Sequence, residues 1–168
     1  MRWTWIDRFV RLEPGRRATA VKNLSWAEDY FADHFPGYPV MPAPLILEGL
    51  AQTGGILVGH VHQYRKNVIL AKMTARFHAE AHPGQQITYT VELLDLNEAG
   101  ARVRGTATVH DKLLAEADIM FAHVGPEQLP AELADPQFVF SGELAHLLRQ
   151  AESVISASSS SPPSAVTS

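Results

Sequence analysis

The stretch that most restricts the fold is residues 34–55, HFPGYPVMPAPLILEGLAQTGG. It begins as a loop rich in proline and glycine and continues into an almost wholly apolar run, residues 45–61. This run is too long for an ordinary strand and is rich in Leu, Ala and Gln, so it predicts a helix. Pro42 or Pro44 fits its first turn, where a missing N–H costs nothing. Because the helix is apolar on nearly every side, we expect protein to surround it.

One carboxylate, Glu48, interrupts the apolar run, and His34 lies in the loop before it. An ionised carboxylate is costly to bury unless something pairs with it. The two side chains are therefore a candidate acid/base pair. Gln52 follows Glu48 by four positions, so both project from one helix face. The residues alone leave two structural alternatives open: a histidine that only caps the helix or fixes the turn, and a buried glutamate that only bonds to the backbone or to Gln52.

Alternating apolar and polar residues on both sides of this helix predict strands over residues 9–12, 17–24, 67–71, 73–79, 86–96, 101–111 and 113–123. A short helix is predicted over residues 26–31, with Ser25 as N-cap and Glu28 at the capping-box position. Strands before and after one helix, without regular alternation, indicate the α+β class.

The 168 residues suffice for one domain with a sizeable core, and the net charge of −4 argues against a nucleic-acid binder. The helix is too short and too interrupted for a membrane span. The chain has no cysteine, which excludes disulfides and thiol catalysis. Its first residues, MRWTWIDRF, lack the features of a signal peptide, so we expect a cytoplasmic protein.

The chain divides into three predicted parts. Residues 1–125 form the folded domain, and residues 126–156 form a C-terminal extension with a helix predicted over residues 142–154. The Ser/Pro-rich residues 157–168 are expected to be disordered. The tryptophans are expected to be core or interface anchors: Trp3, Trp5 and Trp26.

The segment HFPGYPVMPAPLILEGLAQ resembles the signature of the beta-hydroxyacyl-(acyl carrier protein) dehydratases of the FabZ and FabA type. The likeness continues in DRFVRLEPGRRATAVKNLS before it and in MTARFHAEAHPGQQITYTVELLDL and GTATVHDKLLAEADIMFA after it, so it covers residues 5–123. The acid is a glutamate, as in the FabZ type, whereas the FabA type has aspartate. The resemblance implies a hotdog fold, an antiparallel sheet wrapped around one long central helix.

The resemblance also implies an activity, the dehydration of (3R)-3-hydroxyacyl thioesters to trans-2-enoyl thioesters on acyl carrier protein in fatty acid biosynthesis. Such a hydro-lyase needs no cofactor. His34 is the implied base that removes the C2 proton, and Glu48 is the implied acid that protonates the 3-hydroxyl group. In this family the two groups meet across a subunit interface, which implies a homodimer and, beyond it, a trimer of dimers.

Further site residues follow from the same resemblance. The implied substrate contacts are Gly37, Tyr38, Val40, Met41, Pro42, Ala43, Gln52 and Phe77. The cations expected to dock the acidic carrier protein are Arg65, Lys66, Lys72 and Arg76. The chain departs from the family at Ala43, where the family has glycine, and at Pro44, which has no N–H. We therefore expect the Ala43 N–H to be the only backbone donor for the thioester carbonyl there.

Several alternatives stay open. The carrier can be coenzyme A instead of a protein, and the chemistry can be that of another hotdog thioester enzyme, an enoyl hydratase or a thioesterase. A non-catalytic protein that binds acyl thioesters is the alternative from another class. The histidine pairs 60/62 and 78/82 have metal-like spacing but no HExxH helix or convergent acid, so no metal site is predicted.

Overall fold

The structure, a computed structural model, describes residues 4–129 and 143–159. In these residues the elements are β1 (Arg8–Glu13), β2 (Arg17–Asn23), α1 (Tyr30–Asp33), α2 (Ala43–Val61), β3 (Asn67–Phe77), β4 (Gln86–Leu96), β5 (Gly100–Val109), β6 (Lys112–Val124), a 3-10 turn (Pro126–Gln128) and α3 (Glu143–Ser159). None of the described helices is both long and apolar enough to cross a membrane.

The strands form one antiparallel sheet in the order β1-β2-β4-β5-β6-β3, so β1 and β3 are its edges. Helix α2 packs against five of these strands, β2 to β6. The sheet thus wraps around one long helix, which confirms the hotdog fold and the α+β class. Apolar side chains fill the space between them, among them Leu50, Leu57, Ile87, Val103 and Ile119.

Helix α2 begins where its proline-rich start predicts. Pro42 is the N-cap with ψ of 129°, Ala43 is the first helical residue and Pro44 the second. Both prolines lie where the helix needs no N–H from them. Its buried residues include Gly49, which faces the ring of the fully buried Tyr89 on β4; a Cβ atom at Gly49 would overlap that ring. The absent side chain lets the helix approach the sheet closely.

The short helix expected over residues 26–31 is present before His34, but it lies later, at Tyr30–Asp33. Residues 25–28 form a turn, and α1 begins at Tyr30 with Asp29 as its N-cap. The Glu28 carboxylate does not cap a helix but accepts a hydrogen bond from Lys22 Nζ at 2.7 Å. Because Lys22 is only 8% exposed, its ammonium needs carboxylate partners more than a short helix needs a cap.

Three smaller expectations also change. The two strands expected at residues 67–71 and 73–79 are one strand, β3, with an irregularity between Leu70 and Lys72. Helix α3 extends to Ser159, so residues 157–159 of the expected disordered tail are helical, and residues 160–168 lie outside the described residues. Trp5 is buried as expected, but Trp26 is 70% exposed and is not a core residue, and Trp3 lies outside the described residues.

The contact at Gly49 gives a prediction about stability. Gly49→Ala places a methyl group in the Tyr89 ring, and such overpacking costs about 1–3 kcal/mol of unfolding free energy. Gly55→Ala, on the same helix, is the control, because its Cβ would meet only Phe121 Cε1 at 3.9 Å. We expect this variant to be neutral or stabilised, since alanine is the better helix former. Urea unfolding of both variants measures the difference, and equal stability of the two would contradict the close approach.

Candidate active site

His34 is held by three contacts where α1 ends. Its N–H donates to the Tyr30 carbonyl at 2.9 Å, and its carbonyl accepts from the Val40 N–H at 2.9 Å. Its ring nitrogen Nδ1 lies 3.0 Å from the Val40 carbonyl. A carbonyl oxygen only accepts, so Nδ1 carries a proton, and in the neutral imidazole Nε2 is then the acceptor. The half-buried imidazole is also stacked on Phe35, with ring centroids 4.1 Å apart, so its orientation is fixed.

The loop after His34 is a tight turn. Phe35 and Tyr38 exchange two backbone hydrogen bonds, at 3.0 and 2.9 Å, and Gly37 between them has φ of +79°. A side chain at that φ would be strained, which explains the glycine. The exposed Tyr38 donates its hydroxyl proton to Glu80 Oε2 at 2.9 Å, and this bond raises the pKa of Tyr38. Tyr38 thus lies at the surface of the loop.

The start of α2 offers one backbone donor. Val40 and Met41 are buried, and the Met41 N–H donates to the Ala81 carbonyl at 2.8 Å. Of the first three helical residues, Pro44 has no N–H, and the Leu45 N–H donates to the Pro42 carbonyl at 2.9 Å. The Ala43 N–H donates to no acceptor in residues 4–129 and 143–159. It points out of a helix N-terminus, where the dipole favours negative charge.

Glu48 is positioned through Gln52. Gln52 Nε2 donates to Glu48 Oε1 at 3.0 Å, and Gln52 Oε1 accepts the Trp5 N–H at 2.8 Å. The Trp5 N–H can only donate, so it must face the oxygen of the Gln52 side-chain amide. The amide nitrogen of Gln52 is then the end that faces Glu48. Glu48 Oε1 is then the acceptor of this hydrogen bond. The resemblance placed Gln52 against substrate, whereas in the structure it supports the half-buried Glu48.

A cavity of about 1020 Å³ lies beside His34. His34 forms one part of its wall together with Pro42, Pro44 and Leu45 at the start of α2. Residues 4–7, strand β2, helix α1 with the turn before it, and helix α3 form the rest. In the described part of the chain, Glu48 does not line this cavity. The structure of one subunit therefore does not bring the predicted base and acid together there.

An ion network around the buried Lys22 borders the same cavity, and the sequence analysis missed it. Lys22 Nζ lies 3.3 Å from Asp7 Oδ1 and 2.7 Å from Glu28 Oε1. Asp7 also accepts the Asn23 N–H at 2.7 Å. Burial, followed by the nearby Glu28, raises the pKa of Tyr30, which keeps this phenol neutral. The signal was available, because Lys22 follows Ala18 and Ala20 on the inward side of a strand.

The predicted docking cations lie on the edge strand β3 or directly before it. Arg65 and Lys66 precede β3, and Lys72 and Arg76 lie on it. None of the four forms an ion pair with another described residue. Phe77, at the end of the same edge strand, is 46% exposed.

The two histidine pairs are engaged in other contacts. His78 Nε2 lies 3.2 Å from Glu116 Oε1, and His82 Nδ1 lies 3.0 Å from the Pro39 carbonyl. The ring of His62 meets that of His123 edge to face at 4.6 Å. Residues 4–129 and 143–159 contain no group of three or more His, Cys, Asp or Glu side chains that could hold a metal ion.

Comparisons with known proteins agree with this geometry. Residues 2–118 match the model of the FabA-like domain. The 3-hydroxyacyl-[acyl-carrier-protein] dehydratase FabZ of Pelotomaculum thermopropionicum is 43% identical over 119 residues, which cover 70% of this chain and 85% of that protein. The FabZ of Halalkalibacterium halodurans is 41% identical over 119 residues, with the same coverage of 70% and 85%.

Comparison with solved structures supports the fold of the chain. The dehydratase heterocomplex from Xenorhabdus doucetiae has a TM-score of 0.64 at 13% identity, covering 79% of this chain and 90% of that one. A conserved protein from Pseudomonas aeruginosa has a TM-score of 0.59 at 16% identity, covering 70% and 87%. At these identities the likeness shows the hotdog fold alone. The family match and the curated relatives show more: the chain belongs to the FabA-like family, and its relatives there are 3-hydroxyacyl-[acyl-carrier-protein] dehydratases of the FabZ type.

Proposed function

We propose that this protein is a hydro-lyase that dehydrates (3R)-3-hydroxyacyl thioesters to trans-2-enoyl thioesters, on acyl carrier protein in fatty acid biosynthesis. Membership of the FabA-like family and the names of the FabZ relatives support the reaction class. The observation that carries the proposal for this chain is the fixed state of His34. Its Nδ1–H is bonded to the Val40 carbonyl, so Nε2 is free to accept a proton. The cytoplasmic location expected from the sequence stays a prediction.

The reaction needs one base, one acid and one donor to the thioester oxygen. His34 Nε2 removes a proton from C2, and the electrons of that C–H bond form the C2–C3 double bond. The C3–O bond breaks, and the protonated carboxyl of Glu48 gives its proton to the departing hydroxyl, which leaves as water. The Ala43 N–H stabilises the negative charge that develops on the thioester oxygen. Return of the proton from His34 to Glu48 through solvent resets the site.

The acid that completes the site comes, in this proposal, from a second copy of the chain. Glu48 does not line the cavity that contains His34 within one subunit, as far as the described residues form it. Among the described residues, no strand pairs with the outer side of β3, the second edge of the sheet, which exposes Ile69, Leu70 and Phe77. An exposed apolar edge of this kind favours pairing with another strand. We therefore propose a homodimer formed through β3, with a trimer of dimers as the further assembly that the family implies.

The dimer can be tested at Leu70. Leu70→Lys puts a charge on the proposed contact, so we expect the dimer dissociation constant to rise about tenfold or more, equivalent to about 1.4 kcal/mol. Leu94→Lys is the matched control, because Leu94 is 43% exposed against 44% for Leu70 but lies on an inner strand, β4. Sedimentation equilibrium measures both variants. A dimer that both substitutions weaken equally, or neither weakens, would contradict an interface at β3.

Catalysis can be tested at both proposed residues. His34→Ala and Glu48→Gln should each fold and lose activity by about 10²-fold or more, the usual contribution of a general base or acid. His110→Asn and Glu98→Gln are the controls, since both residues are exposed and lie in turns far along the chain from the site. The assay follows enoyl thioester and free thiol together. Release of free thiol without enoyl product would favour a thioesterase instead.

Mixing the two inactive variants tests the shared site. A mixed dimer joins His34 of one subunit with Glu48 of the other in one of its two sites, so it should regain one working site. If each site uses both groups of a single subunit, the mixed dimer has none. Subunit exchange is verified with differently tagged chains. If the subunits exchange and no activity is regained, the site is not shared.

The predicted docking cations allow a test of whether the acyl group is carried by acyl carrier protein. The acidic carrier protein is proposed to contact Arg65, Lys66, Lys72 and Arg76, and exposed charges of this kind mainly affect association. Arg76→Ala should raise KM for the carrier-protein substrate about threefold to tenfold and leave KM for an uncharged pantetheine thioester unchanged. Arg102→Ala, an exposed arginine on β5, is the control. A preference of the wild-type protein for coenzyme A thioesters over carrier-protein thioesters would overturn the proposed carrier.

A further inference from the structure

Helix α3 lies beyond residues 2–118, which match the family model, yet it is fixed to the domain. Gln150 Oε1 accepts the Phe9 N–H at 2.9 Å, at the point where the pairing of β1 with β2 is irregular. Leu147 is 3% exposed and Ala151 is fully buried in the core cluster. Positions 147, 150 and 151 share one helix face, so α3 docks on the edge strand β1 through that face.

The docked helix borders the cavity that contains His34. His146 and Leu147 of α3 line it, together with His34 and the first turn of α2. The Ala43 N–H, the proposed donor to the thioester oxygen, lies in that same turn. A substrate with its reacting carbons at His34 therefore has Leu147 as part of the wall that its remaining atoms meet.

The charges of the cavity indicate which part of the substrate it takes. Lys22 is paired with two of the carboxylates and is not available to bind an anion. The charged groups of the wall are therefore mainly carboxylates, and these disfavour a phosphate group: Asp7, Glu28, Asp29 and Asp33. The rest of the lining is mainly apolar, with Trp5, Ile6, Tyr30, Leu45 and Leu147. This lining suits the acyl group and not the phosphate end of a carrier.

We propose that Leu147 of α3 is a specificity-determining residue, which limits the length of the acyl group that fits beside His34. This inference rests on the proposed function for the identity of the substrate. It assigns to the C-terminal helix a role in substrate choice that residues 2–118 do not supply.

The test compares two neighbouring leucines of α3. Leu147→Ala enlarges the cavity, whereas Leu148→Ala makes the same change at a residue that packs against the core and does not line the cavity. A few methyl groups in an apolar pocket change discrimination between substrates by about 10–200-fold. We expect Leu147→Ala to raise the ratio of kcat/KM for long-chain over short-chain 3-hydroxyacyl thioesters at least about tenfold. Leu148→Ala should leave this ratio within about twofold of wild type.

A second variant keeps the proposal testable if Leu147→Ala does not fold. Leu147→Phe adds volume towards the cavity and should lower the same ratio. Circular dichroism and thermal unfolding establish which variants are folded. A folded Leu147→Phe with the wild-type ratio, or equal ratios in Leu147→Ala and Leu148→Ala, would overturn the assignment.

A binding measurement separates this inference from the proposed function. Calorimetry gives the dissociation constants of unreactive amide analogues of short-chain and long-chain 3-hydroxyacyl pantetheine. If the wild-type protein makes no enoyl product but only the Leu147 variants change the ratio of these constants, the proposed reaction fails and the role of α3 stands. If enoyl product forms and the Leu147 variants behave like Leu148→Ala, the reaction stands and the role of α3 fails.

Discussion

The structure depends on the close approach of helix α2 to the sheet that surrounds it. An apolar helix of this kind needs protein around it, and five strands contact it and cover its buried residues. The approach is close because Gly49 leaves room for the buried ring of Tyr89. Every proposed catalytic group is attached to this helix or to the loop that enters it. The packing of α2 therefore sets the position of the site as well as the stability of the domain.

Burying polar groups beside such a helix requires partners, and those partners also organise the site. Gln52 accepts the Trp5 N–H and donates to Glu48, so the backbone of the N-terminal segment orients the proposed acid. Because the Glu28 carboxylate accepts a hydrogen bond from Lys22, it does not cap a helix. The turn that carries Glu28 precedes α1 directly, and α1 ends at His34. The same ion network gives the wall of the cavity its negative character.

The two edge strands of the sheet differ in whether another described element covers them. Helix α3 covers β1, through Gln150 and an apolar face, and reaches the cavity with His146 and Leu147. Strand β3 stays uncovered within the described residues and carries both exposed apolar side chains and the cations proposed for docking. The first edge carries the proposed role in substrate choice, and the second carries the proposed dimer contact. This division follows from a chain that adds its extra helix to only one side of the fold.

The sequence by itself determined the long central helix and most strand positions, and it proposed a loop histidine and a lone acid on the helix as the candidate catalytic pair. Apolar periodicity, proline and glycine are local signals, and the motif around His34 and Glu48 lies in one continuous stretch. Only the tertiary structure decided the partners of polar groups that are distant in sequence. Lys22 with Glu28, Gln52 with Trp5 and Gln150 with Phe9 depend on which surfaces meet when the sheet closes around α2. Local propensity could not give these pairs, because a buried donor or acceptor takes the nearest partner in space, whatever its distance along the chain.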